Sequence, residues 1–114
     1  MQDRTVNSII EWFTEAVTNK QPITPGQWVE AGSDLNVLRS DEDDKLFELQ
    51  QKVAETKVQF IKDGLSVAMA KAYTEATDDH KEMCRQRAKL ARIEEFIRLA
   101  KIHARLTMEE IKGN

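Results

Sequence analysis

The sequence predicts an all-α fold: a long antiparallel helical hairpin, a coiled-coil-like bundle, with short N-terminal helices packed on it. Three observations predict it. The 114 residues contain two prolines and four glycines, and both prolines, Pro22 and Pro25, fall in one short stretch. A β-sandwich or barrel of this length needs many more turn residues. Apolar residues recur at three- and four-residue spacing over two long stretches, and capping signals punctuate them. The chain reads as a single helical domain over 1–114, with short helices in 1–39 and the hairpin in 40–114.

The first helix is expected from about Asp3 to Asn19. Val6, Ile9, Ile10, Phe13 and Val17 form one apolar stripe that Trp12 and Ala16 widen. Pro22 ends it, because the residue before proline avoids the α region. Thr24-Pro25-Gly26-Gln27 restarts the chain: Thr24 can cap, Pro25 suits the first helical position, and Gln27 can close a capping box. The helix it opens carries Trp28, Val29, Ala31, Leu35 and Leu38, and Gly32 is expected to weaken or break it.

Ser40-Asp41-Glu42-Asp43-Asp44 reads as a new helix start, with Ser40 as cap and four carboxylates at the positive end of the helix dipole. The helix then runs to about Asp63 with two stripes. Leu46, Leu49, Val53 and Phe60 form one, and Phe47, Ala54, Val58 and Ile61 form the other. A helix so patterned touches two neighbours. Gly64 fits the left-handed position after a helix, Leu65 its hydrophobic contact, and Ser66 caps an alanine-rich helix from Val67 to about Ala76. Thr77-Asp78-Asp79 offers the last cap. The final helix is expected from about Asp79 to Ile111, and Thr77 and Thr107 mark the points where it could be interrupted. Leu90, Ile93, Ile97, Ala100, Ala104 and Ile111 keep a heptad seam, with Gln86 and Thr107 as polar members of its register. Both long helices carry two apolar faces, so a homodimer is expected through Leu90, Ile93 and Ile97.

Composition narrows the function classes. Formal net charge is −3, which argues against a general nucleic-acid binder. The charge is uneven: residues 1–63 hold 7 basic and 12 acidic side chains, whereas residues 80–105 hold 8 basic and 3 acidic. No apolar run approaches the length of a membrane span, and Met1-Gln2-Asp3-Arg4 does not resemble a secretory leader. The single cysteine, Cys84, suits a reducing cytoplasm, the expected location.

Sites that could carry chemistry are few. An EF-hand loop opening at Asp41 wants glycine and glutamate where Leu46 and Lys52 stand. His80 and Cys84 lie one turn apart, but two ligands do not make a metal site, and His103 is too distant on a straight helix. Neither a nucleophile's supporting group nor a glycine-rich phosphate loop is suggested, so no enzyme, cofactor or metal is expected.

Binding remains. Trp12, Trp28, Asp41, Glu42, Asp43 and Asp44 are candidates for contact with a protein partner, although the ordinary reading of either tryptophan is packing over the hairpin base. Lys81, Arg85, Lys89 and Arg92 are nearly collinear on the last helix and could lie along phosphates. Their ordinary reading is a solvated face paired with the acidic helix before it.

Three stretches carry a family resemblance: Ile61-Lys62-Asp63-Gly64-Leu65-Ser66-Val67-Ala68, Glu75-Ala76-Thr77-Asp78-Asp79, and Ala91-Arg92-Ile93-Glu94-Glu95-Phe96-Ile97-Arg98-Leu99-Ala100-Lys101. Over about residues 45–106 the chain resembles small uncharacterised helical proteins of temperate-bacteriophage early regions. That resemblance implies a mobile-element setting among recombination, replication or counter-defence genes. The leading expectation is a protein–protein interaction module that regulates or inhibits a nucleic-acid or defence machine. The second is a nucleic-acid-binding accessory of phage recombination or replication.

Overall fold

A computed structural model describes residues 4–113. Met1, Gln2, Asp3 and Asn114, and with them the leader reading and the expected helix start at Asp3, lie outside the described residues. Helix makes up 87% of the described residues and no strand occurs among them, which decides the class as all-α. Four helices follow in order: α1, Val6–Thr18; α2, Pro25–Lys62; α3, Val67–Glu75; α4, Asp78–Gly113.

Each start has a local cause. Thr5 caps α1 in a reciprocal box with Ser8, so the helix opens at Val6. Thr24 and Gln27 exchange the expected pair of bonds before α2, at 2.9 and 3.2 Å. Gly64 takes φ 103° after α2, and Leu65 N–H donates to the Phe60 carbonyl at 3.1 Å, closing the helix as a left-handed cap. Ser66 accepts from Met69 N–H ahead of α3, and Thr77 accepts from His80 N–H ahead of α4. Thr107 donates its hydroxyl to the His103 carbonyl within an unbroken α4.

The expected break at Gly32 and restart at Ser40 do not occur. A single 38-residue helix runs through both. Gly32 is buried against α4, where an added Cβ would stand 3.3 Å from Ala100 Cβ. The glycine lets two helices approach closely, and burial of Ala31 and Leu35 beside it offsets its poor propensity. Ser40 therefore lies inside a helix, and Asp41, Glu42, Asp43 and Asp44 meet no open helix terminus.

The chain divides into two compact units: residues 4–40 with 91–113, and Asp41–Leu90. The last helix thus contributes to both, and 40–114 is not one structural unit. In the first, Val6, Ile9 and Ile10 of α1 pack with Ala31 and Leu35 of α2 and Ile93 and Ile97 of α4. Beside them Phe13, Ala16, Trp28, Ala100 and Ala104 form a second cluster. Ile9, Leu35 and Ile93 are the largest fully buried side chains; burial of each contributes about 1.5–3 kcal/mol. In the second unit Ala70, Thr74, Met83, Gln86 and Leu90 are buried, and Leu46, Leu49, Val53 and Phe60 are half-buried.

Candidate functional site

Within Asp41–Leu90, α2 has an inner and an outer face. Glu42 fixes the inner one. Its side chain is only 8% exposed, and Gln86 Nε2 of α4 donates to its Oε2 at 2.6 Å and to its backbone carbonyl at 2.9 Å. Lys89 Nζ at 3.0 Å and Lys45 Nζ at 3.3 Å reach Oε1. Burial pushes the Glu42 carboxyl up, but the bonds from Gln86, Lys89 and Lys45 outweigh it and hold the carboxyl below its ordinary value of 4.5. Glu42 is thus a fastening between helices, not a partner contact.

The linkage has a defined sign. A lowered folded value stabilises the protein fully above about pH 4.5, and the contribution is lost as pH falls through and below it. Glu42→Ala is expected to cost about 2 kcal/mol at neutral pH, because it removes the carboxylate that Gln86 and Lys89 bond and leaves the buried Gln86 amide only the backbone carbonyl of residue 42. Urea unfolding of both proteins across acid pH checks this: the gap must shrink as the medium is acidified. A gap that stays constant would contradict the assignment.

The outer face is different. Phe47, Gln51, Ala54, Val58 and Ile61 follow one another at spacings of four, three, four and three, and all five are exposed. Phe47 is 61% exposed, Val58 49% and Ile61 40%. A shallow depression lies along the stripe, lined by Gln51, Ala54, Glu55, Val58, Gln59 and Lys62. Asp41, Asp43, Asp44 and Glu48 stand exposed at the start of this segment. Val67, Met69 and Tyr73 of α3 are also exposed; the alanine count of α3 drew attention to its small residues and hid these large ones.

The other expected site residues fall elsewhere. Trp28 is 5% exposed and Trp12 half-buried. Trp28 lies edge-on to Trp12 and Phe13, at 5.4 and 5.0 Å between centroids, and stacks on His103 at 4.7 Å. It is core, because α1 covers it. Leu90, Ile93 and Ile97 are buried in the chain's own packing, which removes them as a dimer seam. Among the described residues, the pairing of opposite charges between α2 and α4 comes down to Lys89 with Glu42; Arg85 pairs with Glu82 on its own helix, and Lys81 and Arg92 are exposed. Cys84 Sγ lies 3.8 Å from His80 Nδ1, and no group of three or more metal-capable side chains occurs among the described residues. No helix of the described residues is long and apolar enough to cross a membrane.

No family model, curated protein or solved structure matches the chain.

Proposed function

We propose that this chain is a non-catalytic protein–protein interaction module, built as a long antiparallel helical hairpin with a short helix packed on it. It binds and regulates or inhibits a nucleic-acid-processing or defence machine. The observation that carries the reading is the outer face of α2. A stripe bearing Phe47, Val58 and Ile61 is exposed while its companion stripe is half-buried, and contiguous apolar surface of this kind marks interaction sites. Asp41, Asp43, Asp44 and Glu48 next to it favour a basic partner surface, such as a nucleic-acid channel, by charge complementarity. The resemblance to phage early-region proteins supports the same setting.

A second reading is favoured by the exposure of Lys81, Arg85 and Arg92 on α4. A nucleic-acid accessory would place these and Lys89 on phosphates. Titration of labelled single-stranded and duplex DNA at increasing salt separates the two. The interaction module is expected to show no DNA binding near about 0.15 M salt. Tight binding there that falls steeply with salt, and is abolished by Arg85→Glu with Arg92→Glu, would replace it by the accessory reading.

A further inference from the structure

We infer that the outer face of α2 is a self-association surface, covered by the same face of a second copy running antiparallel. The inference rests on the reading of that face as an interaction surface, and names its occupant in the free chain: a target that uses the face displaces the second copy. Phe47, Gln51, Ala54, Val58 and Ile61 are spaced as the core positions of a coiled coil, and all face solvent. The small Ala54 leaves a depression beside Val58, a hole of the kind that receives a side chain from a facing helix. One seam of this form is complementary to another, and two copies related by a two-fold axis close on themselves without leaving a free patch.

Charge selects the orientation. Asp41, Asp43, Asp44 and Glu48 occupy the first half of the exposed segment, with Lys45 among them, and Lys52, Lys57 and Lys62 the second, with Glu55 among them. Antiparallel pairing lays the acidic half of one copy against the basic half of the other. At the seam's edges, with Ala54 facing the copy's Val58, Glu48 meets Lys62 of the other copy, once on each side of the axis. Glu55 and Lys57 each approach their own counterpart at the axis. Parallel pairing instead sets Asp43 beside Glu48 and Lys57 beside Lys62, twice over, so that every charged contact is between like charges. The antiparallel arrangement also opposes the two helix dipoles.

The test is light scattering on the full chain from low to high micromolar concentration, with circular dichroism to show that each variant keeps its helix content. Wild type is expected at twice its 13.1 kDa mass. Val58→Glu, and separately Ala54→Lys, should weaken association about 100-fold or more, because each places a charge in the seam. Glu48→Lys should weaken it, and adding Lys62→Glu should restore it, a rescue that the antiparallel arrangement alone provides. A wild-type monomer at high micromolar concentration, or a dimer untouched by both seam variants, overturns the inference. Failure of Lys62→Glu to rescue overturns the orientation. These outcomes are independent of DNA binding: a monomer that ignores DNA leaves the interaction reading with a different partner, whereas salt-sensitive DNA binding removes that reading whatever the mass.

Discussion

Trp28→Ala is expected to lower the stability of the chain by about 4 kcal/mol, within the range for emptying a buried aromatic site. The indole packs edge-on against Trp12 and Phe13 and face-on against His103, so its removal strips contacts from α1 and α4 together. Aromatic pairs of this geometry add about 0.5–1.5 kcal/mol beyond area burial. A loss of this size is a large share of the roughly 5–15 kcal/mol that holds a domain folded. Urea denaturation followed by circular dichroism reads it. A loss under about 1 kcal/mol would contradict the assignment of Trp28 to the core and return it to the surface as a partner anchor.

The second large effect is at Ile93, which is 0% exposed and packed with Ile9, Leu35 and Ile97. Ile93→Ala is expected to cost about 3–4 kcal/mol through lost burial and the cavity left behind. The effect falls on folding, so it is the same at every protein concentration. Were Ile93 in a dimer seam, as the heptad spacing alone suggests, its truncation would instead cost association and the loss would vanish on dilution. Denaturation at two concentrations a hundredfold apart distinguishes these outcomes.

The fold class and most of the helix ends are legible in the sequence because they are local. The Thr24–Gln27 box, the Gly64-Leu65-Ser66 stop and restart, and the Thr77 cap each form within a few residues. The false restart at Ser40 shows the limit of local signals. A serine before four carboxylates has every mark of a cap, but continuation of α2 is decided by burial of Ala31 and Leu35 and by the approach of Gly32 to Ala100, far along the chain. The same long-range packing turns Glu42 from a terminal carboxylate into a buried acceptor for Gln86. Half of that pair left a trace: Gln86 stands in register with Leu90, Ile93 and Ile97, and a polar residue in an apolar seam calls for a polar partner. The two stripes of α2 are also legible, and so is its need for two neighbours. Which stripe the chain itself covers is not, because both have the same helical spacing and only packing chooses between them.

On the proposed reading the outer face of α2 contributes nothing to folding and is kept for binding. The most direct measurement is the melting temperature of wild type and of a Phe47→Ser, Val58→Ser, Ile61→Ser variant across protein concentration. These positions are exposed, and serine has a helix propensity close to that of the residues it replaces. The wild type is expected to melt higher as concentration rises, the variant to melt at one temperature throughout, and the two to converge on dilution. A variant that melts well below wild type even at the highest dilution would contradict it, because the stripe would then be part of the core.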